Sequence, residues 1–271
     1  MARFARTHAI SAIAIVLALL LALASLLAPV LAPYDPSSQD LLLGLTGPSP
    51  EHLFGTDQLG RDILSRLLWA GRYSLGATAV VQVFSMVLGT TIGILAGYMR
   101  GWGGYLWMRL IDLFMALPSL VLSMAIIGAL GPGLDKLTLA LTISWWPSYA
   151  RLAMSKVLTV KTADYVVAAE TLGAGQSHIM FRHILPSLAG PLAILLSLDG
   201  GGVILSIAGL GFLGLGIQPP TPEWGSMLVA ARPFMDLAPH LVLAPGLAIL
   251  IMVFGFNSLA EGLEQWLSPW M

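Results

Sequence analysis

The stretch Gly209–Met227 reads GLGFLGLGIQPPTPEWGSM and joins a glycine-rich apolar segment to a proline-rich turn that carries Trp224. It closes a long apolar region, because Asp199 is the only charged residue within positions 184–222. About 20 apolar residues are enough to cross the ~30 Å hydrocarbon layer of a bilayer as a helix. A region of this length therefore predicts one membrane span followed by a chain reversal at the surface.

The composition of the 271-residue chain points the same way. Hydrophobic residues make up 57% and charged residues only 10%, whereas a soluble domain carries about 25% charged residues. The net charge of −1 argues against a nucleic-acid partner, because phosphate binding needs a clustered basic surface. The chain has no cysteine, which excludes disulfides and thiolate metal sites. The composition therefore predicts a membrane protein.

Uncharged apolar runs give six candidate spans, so the predicted fold class is an all-α membrane protein. The runs are 9–32, 74–99, 113–130, 137–150, 184–222 and 241–260. Pro147 interrupts the fourth run, which residues 152–155 extend past Arg151. The first run is either a retained helix or a secretory signal peptide. Its length favours a retained helix, because the apolar part of a signal peptide has ~7–15 residues.

Basic residues favour one orientation in the membrane. The connection between the fourth and fifth runs contains four basic and two acidic residues, whereas the 33–73 segment contains three basic and five acidic residues. Loops rich in Lys and Arg stay in the cytoplasm. Counting spans back from the basic connection also puts Arg3 and Arg6 inside. We therefore predict that both termini are cytoplasmic and that the 33–73 segment is extracytoplasmic.

The largest polar interruption on the predicted cytoplasmic side is Asp164–Pro186, DYVVAAETLGAGQSHIMFRHILP. Residues 168–172 favour a helix, Gly173 and Gly175 break it, and residues 179–185 resume a short amphipathic run that we expect Pro186 to end. The pattern predicts two short helices separated by a hinge. By itself it fits a solvated loop as well as a docking surface for another protein.

This stretch resembles the coupling motif of the inner-membrane permease subunits of ATP-binding-cassette (ABC) importers, in the dipeptide, oligopeptide and nickel group. That motif has Glu-Ala-Ala, then Gly after three residues, then Ile-x-Leu-Pro after nine more. The residues that match at this spacing are Ala168, Ala169, Gly173, Leu185 and Pro186. Val167 stands at the Glu position and His183 at the Ile position. Glu170, on the next turn, offers a carboxylate in place of the missing one.

Two further stretches carry the resemblance over nearly the whole chain. Residues 54–75, FGTDQLGRDILSRLLWAGRYSL, are similar to the family's signature before the second span. Residues 211–225, GFLGLGIQPPTPEWG, are similar to its signature after the fifth span. The short sequences RLID at 109–112 and LPS at 117–119 agree as well.

The resemblance implies a type I ABC importer permease fold, with coupling helices between the fourth and fifth spans. It implies a non-catalytic, multi-pass subunit of the bacterial inner membrane that forms half of a translocation pathway with a second, identical or different, permease. An extracytoplasmic binding protein would deliver a peptide, nickel or a metal chelate. Two ATPase subunits would bind ATP and Mg²⁺. The chain itself contains no GxxxxGK[ST] phosphate loop.

The resemblance also implies a division of the chain and a set of docking residues. The divisions are an N-terminal span at 1–32, an extracytoplasmic segment at 33–73, and a core domain at 74–271 with a coupling loop at 158–186. The ATPase-coupling residues would be Val167, Ala168, Ala169, Glu170, Gly173 and Pro186.

Asp199 is a second candidate site, because a charge deep in a span costs at least ~2.5 kcal/mol. It either lies on the translocation path, against a cationic amine or a metal chelate, or hydrogen-bonds a neighbouring helix near the glycines at 200–202. An ion-coupled secondary transporter that uses Asp199 is the alternative function, although the two halves of the chain share no evident repeat. Gly89, Gly93 and Gly97 recur every four residues and predict close helix packing.

Five residues are predicted at the outer rim of the pathway: Asp57, Arg61, Asp62, Glu223 and Trp224. The first three either contact a binding protein or pin the outer mouth by pairing among themselves. The turn with Glu223 and Trp224 belongs to the same rim, with the indole of Trp224 expected at the lipid headgroups. The five histidines include no pair spaced i, i+4, so no metal site is predicted on a helix. Arg109 and Asp112 are spaced to pair as i, i+3.

Overall fold

The computed structural model describes residues 2–99 and 101–267, without the side chains of residues 2–9 and 177. This part of the chain is almost entirely helical, with one isolated β-bridge between Thr56 and Asp62. The α-helices are α1 (Ala2–Leu26), α2 (Ala28–Leu31), α3 (Ile63–Tyr98), α4 (Trp102–Met115), α5 (Ser119–Leu130), α6 (Leu134–Val160), α7 (Asp164–Thr171), α8 (Gln176–Ile179), α9 (Leu185–Phe212), α10 (Trp224–Ala231) and α11 (His240–Leu267). A π-helical turn, Met180–Ile184, joins α8 to α9. The all-α prediction is confirmed.

Helices α3 and α6 form the closest pair in the fold. A methyl group at Gly89 or Gly93 would overlap the backbone carbonyl oxygen of Trp146 or Ala150, respectively. A methyl group at Gly97 would lie 2.9 Å from Cβ of Val157. Because small residues let two helices approach to backbone contact, the predicted glycine packing is confirmed within the chain.

The other long helices surround this pair. Helix α11 packs against α9 and α1, and α10 lies between α9, α11 and the start of α3. A buried cluster that includes Ile63, Trp224 and Ile249 joins these elements. A second cluster, around Val81, Leu141 and Ile207, joins α3, α5, α6 and α9.

Three described helical segments are long and apolar enough to cross a bilayer: Ile63–Tyr98, Met180–Phe212 and His240–Leu267. The pair α4 and α5 passes the same test as a fourth if it is one broken span. The apolar part of α1 with described side chains, Ile10–Leu26, is shorter. The number of six spans therefore stays a prediction.

The predicted third span, 113–130, is wrong as a single helix. Residues 113–115 end α4 and residues 119–130 form α5, and the two axes meet at 87°. The break falls at Pro118, which has no N–H to continue the helix and disfavours helical backbone at Leu117. Gly131 ends α5 with a positive φ of 84°.

The second and fourth predicted spans are longer helices than expected. The amphipathic helix predicted to start at Ile63 and the span predicted from Ser74 are one helix, α3, so residues 73 and 74 lie inside it. Helix α6 continues through Pro147, which is buried. Neighbouring helices cover the turn of α6 that Pro147 weakens. The helix propensity of proline does not predict this.

The chain reversal predicted after the fifth run is confirmed. Helix α9 ends at Phe212 and residues 213–223 form a turn that leads into α10. Gly225 then lies so close to the backbone of Ala208 that a methyl group there would overlap it. The proline-rich turn therefore brings α10 back onto the end of α9.

Candidate functional site

The 158–186 segment begins at the end of α6 and contains the short helix α7. Gly173 follows α7 with a φ of 89°. Its N–H donates to the carbonyl of Glu170 at 2.9 Å, and the N–H of Ala174 donates to the carbonyl of Ala169 at 3.0 Å. This pair of bonds is a Schellman motif, which favours glycine at the left-handed position. The first predicted short helix and the break after it are confirmed.

The second predicted helix does not end at Pro186. Pro186 lies in the first turn of α9, where its missing N–H is not needed for a helical hydrogen bond. Residues 176–212 therefore form one helical path with a π turn in it. The prediction was wrong because Pro186 was expected to end a helix, whereas a proline in the first turn is compatible with beginning one.

The inner side of the segment is firmly packed. Val166, Ile179 and Ile184 are at most 1% exposed. They join Val157 of α6 and Leu188 of α9 in one buried cluster. A force on α7 is therefore transmitted to both long helices, because packed side chains resist compression.

The outer side of the segment exposes an apolar surface. Leu172 is 88% exposed, Phe181 is 70%, Tyr165 is 53% and Val167 is 48%. We call these four residues the apolar face. Exposed apolar side chains grouped in this way mark interaction sites.

The predicted coupling residues lie on the same segment as the apolar face, and Val167 belongs to both sets. Val167, Ala168, Glu170, Gly173 and Pro186 are exposed, and Ala169 is half-buried. Glu170 also lines a polar cleft with Lys161 and Gln176, at the ends of α3 and α6. The structure thus leaves five of these six residues exposed along the 158–186 segment.

Asp199 lies on α9 opposite Tyr149 of α6. The Tyr149 hydroxyl and the Asp199 carboxylate face each other as a buried polar pair. The glycines that follow admit large rings: Gly200 meets Phe256, and Gly202 meets Trp145. Both interpretations of Asp199 stay predictions.

Asp57, Arg61 and Arg66 form a buried ion-pair group before and at the start of α3. Arg61 Nε donates to Asp57 Oδ2 at 2.7 Å, and Arg66 Nε lies 3.5 Å from the same oxygen. Arg66 also donates to the carbonyl of Pro36 at 2.9 Å. All three charged residues are at most 7% exposed. Buried charges are tolerated when they are paired, so this group holds the 33–62 segment on α3.

Asp62 is the N-cap of α3. Its Oδ2 accepts hydrogen bonds from the N–H and the hydroxyl of Ser65, both at 2.7 Å. Its Oδ1 lies 2.9 Å from His52 Nδ1. An N-cap carboxylate satisfies helix N–H groups that have no partner within the helix.

Glu223 caps α10 in the same manner. Its two carboxylate oxygens accept from the N–H groups of Gly225 and Ser226, each at 2.8 Å, and Ser74 of α3 donates to it at 3.3 Å. Burial raises the pKa of Glu223, and these hydrogen bonds oppose the rise because they stabilise the carboxylate. The cap therefore ties α10 to α3.

Trp224 does not lie at a lipid or solvent surface, so its predicted place at the headgroups is wrong. The side chain is 0% exposed, and its Nε1 donates to the carbonyl of Leu67 at 3.1 Å. The N-cap at Glu223 turns the chain so that the indole enters the core between α10 and α3.

Five buried charged residues lie in the 33–62 segment, in the first turns of α3 and at the start of α10, and we call them the polar cap: Asp57, Arg61, Asp62, Arg66 and Glu223. Two partners of these carboxylates were missed from the sequence: Arg66, which pairs with Asp57, and His52, which pairs with Asp62. Arg66 is nine residues from Asp57, so no helical spacing signals their pair. His52 follows no pattern. Whether the polar cap borders a pathway or touches a binding protein stays a prediction.

Asp112 joins two helices through arginine. The predicted pair with Arg109 is confirmed at 3.3 Å. Arg151 of α6 also donates to Asp112, a contact that spans 39 positions in the chain and was missed. This bond links α4 to α6 beside the break at Pro118.

A family model described as "Binding-protein-dependent transport system inner membrane component" matches residues 89–271, more than half of the chain. The di/tripeptide transport system permease protein DppC of Pseudomonas aeruginosa (strain UCBPP-PA14) is 45% identical over 243 residues, which are 88% of this chain and 80% of that protein. The glutathione transport system permease protein GsiD of Pectobacterium atrosepticum is 42% identical over 223 residues, 82% of this chain and 74% of that protein.

Solved structures share the fold at low identity. An inward-facing structure of the MetNI methionine ABC transporter aligns with a TM-score of 0.62 and 17% identity, over 75% of this chain and 97% of the other. An amino acid ABC transporter aligns with a TM-score of 0.59 and 14% identity, over 75% of this chain and 94% of the other. The chain has the type I ABC importer permease fold. It belongs to the binding-protein-dependent transport system inner membrane components, and is a multi-pass permease subunit of an ABC importer of the bacterial inner membrane.

Proposed function

We propose that this permease forms half of the pathway by which a short peptide or a peptide-like compound such as glutathione enters the cell. The names of the most similar relatives support this substrate class. They favour peptides over nickel and metal chelates, which the sequence resemblance alone left open. The partners are a second permease of the same family and an extracytoplasmic binding protein.

We infer that the apolar face docks ATPase subunits, which bind and hydrolyse ATP with Mg²⁺. The observation that carries this proposal is the contrast between the two sides of the 158–186 segment. Its inner side is buried against α6 and α9, while Leu172 is 88% exposed on its outer side. When an ATPase pushes on this segment, its buried inner side passes the force to α6 and α9, which then tilt as rigid bodies. Such tilting can switch access between the two sides of a membrane.

The proposed topology follows from this docking surface. The coupling loop, 158–186, faces the cytoplasm, both termini lie on that side, and the 33–73 segment lies outside. The N-terminal span at 1–32 and the core at 74–271 then give six spans. Helix α6 and the bent pair α4–α5 each count as one span in this scheme.

The polar cap is proposed to pin the outer end of the fold, because its carboxylates are satisfied by neighbours within the chain. Asp199 is proposed to border the path, where its carboxylate lies opposite the Tyr149 hydroxyl of α6. An ion-coupled secondary transporter gains no support from the family to which the chain belongs.

The proposed function is tested by transport into proteoliposomes that hold both permeases, the ATPases and the binding protein. Labelled dipeptide should accumulate only when ATP is present. Nickel should not accumulate with or without ATP. Deleting residues 172–175 should leave ATP hydrolysis but abolish uptake, because the deletion removes Leu172 and the turn between α7 and α8 while α6 and α9 remain. Uptake that continues without the ATPases would overturn the proposal.

A further inference from the structure

The coupling loop contains a π turn, Met180–Ile184, that no sequence pattern predicted. The N–H of Leu185 donates to the carbonyl of Met180, five residues earlier. Such turns insert one extra residue into a helix and are frequent at functional sites. The turn lies on the helical path from α8 to α9, next to the apolar face.

The π turn brings two histidines together. In a regular α-helix, residues five apart point about 140° away from each other, because each residue turns the helix by about 100°. Here the ring centroids of His178 and His183 are only 5.9 Å apart. His178 is exposed and His183 is half-buried. The extra residue thus gives this pair the relation that residues spaced i, i+4 have on an α-helix.

We propose that His178 and His183 bind one divalent transition-metal ion, for which Zn²⁺ is the probe. Imidazole is a favoured ligand of Zn²⁺, Cu²⁺ and Ni²⁺. Two histidines on one helix face are a known way to hold Zn²⁺. The described residues contain no group of three or more His, Asp or Glu that could hold a metal ion. The two imidazoles therefore fill two of the four tetrahedral positions and water fills the others, which makes the site open and exchangeable.

A bound ion has a mechanical consequence for the loop. Removing the extra residue of the π turn would rotate His183 by about 100° relative to His178 and separate the rings. An ion held by both rings therefore keeps the segment in the π register. Because Ile184 beyond the turn is fully buried against α6 and α9, the register decides which side chain packs there.

Ring stacking alone is the competing explanation for the pair. Tyr165 lies 5.5 Å from the His183 ring, so the three rings form one aromatic group. Stacking requires the rings but not the imidazole nitrogens. Metal binding requires both imidazoles and is indifferent to the Tyr165 hydroxyl.

The test is isothermal titration of Zn²⁺ into the purified full chain in detergent. We expect one Zn²⁺ per chain, and at least a tenfold loss of affinity in His178→Ala and in His183→Ala, since even the loss of an outer-shell partner costs about 10- to 100-fold. Arg182→Gln is the matched control, because Arg182 is an exposed neighbour on the same turn. Arg182→Gln and Tyr165→Phe should bind Zn²⁺ as the parent chain does.

A second measurement guards against misfolding. Cu²⁺ bound to the parent chain should show two nitrogen ligands by electron paramagnetic resonance, and one in each single variant, at equal helicity by circular dichroism. The proposal is overturned if the double variant His178→Ala/His183→Ala binds Zn²⁺ as tightly as the parent chain. It is overturned equally if the parent chain shows no saturable binding, or if Arg182→Gln loses binding as well.

Discussion

The polar cap and the coupling loop are opposite in how they place polar and apolar side chains. In the polar cap, Asp57 and Arg61 are buried and bonded to each other at 2.7 Å. In the coupling loop, Leu172 and Phe181 are apolar and more than two-thirds exposed. The first region hides charge inside the protein and satisfies it there, whereas the second leaves apolar surface without cover.

The difference shows which region is complete and which needs a partner. Burying a charge is costly unless it is paired or hydrogen-bonded. The charged groups of the polar cap find these partners within the chain. An exposed apolar side chain lowers the free energy when a partner covers it, by about 1.5–3 kcal/mol for a Leu. We therefore expect changes in the polar cap to affect folding and changes in the apolar face to affect association.

Asp57→Ala is expected to have the largest effect. It leaves Arg61 and Arg66 buried without their carboxylate, and breaking a buried pair in this way costs about 3 kcal/mol or more. The free energy of unfolding in detergent should fall by that amount. Asp35→Ala is the matched control, because Asp35 is an exposed aspartate of the same segment and should cost about 1 kcal/mol or less. Equal losses in the two variants would contradict the contrast.

Glu223→Ala should lower the free energy of unfolding by about 2 kcal/mol, because an N-cap is lost and a buried hydroxyl of Ser74 loses its acceptor. Glu223→Gln keeps one carbonyl oxygen as an acceptor and should cost less. The thermal midpoints of both variants, compared at one detergent concentration, decide this. Equal losses in the two variants would mean that the cap depends on the negative charge, which both changes remove, rather than on the hydrogen bonds.

Leu172→Asp should leave folding unchanged within about 0.5 kcal/mol, since a substitution at an exposed position rarely does more. It should reduce the amount of ATPase that co-purifies by about tenfold, which corresponds to about 1.4 kcal/mol. Leu42→Asp is the matched control, because Leu42 is 95% exposed in the 33–73 segment. Loss of ATPase from the Leu42 variant would show that exposure alone, and not the apolar face, decides docking.

Gly173→Ala should have the smallest effect. The φ of 89° is strained for alanine by about 1 kcal/mol, while a Cβ at this position meets no atom within 4 Å. Gly175→Ala tests the same loop without a positive φ and also in open space, so its thermal midpoint should not fall. A drop in Gly175→Ala as large as that in Gly173→Ala would mean that crowding, and not backbone conformation, limits the loop.

Much of the coupling loop was readable from the sequence, because its signals are local. Gly173 ends α7 through a motif that involves residues within six positions. The polar cap was readable only in part. Asp57 and Arg61 are four residues apart, but the bond between Glu223 and Ser74 spans 149 positions, and no local pattern reports such a contact.

Three prolines show most directly what the local sequence fails to predict about helix ends. Pro118 breaks its predicted span by 87°, while Pro147 lies inside a continuous helix and Pro186 begins one. The residue is the same in each case, but its position differs: Pro186 in the first turn frees no helical hydrogen bond, whereas Pro147 inside α6 removes one. Neighbouring helices decide whether the freed backbone groups are covered.

The sequence by itself determined that the chain is helical, that it enters the membrane, that it reverses after α9 and that α3 carries a packing stripe. These properties follow from hydrophobicity and residue spacing, which act over one or two helical turns. Only the tertiary structure decided that Trp224 is buried, that Arg151 meets Asp112 and that His178 meets His183. Each of these depends on contacts between distant segments or on one extra residue in a helical turn, and neither is encoded in a short-range period.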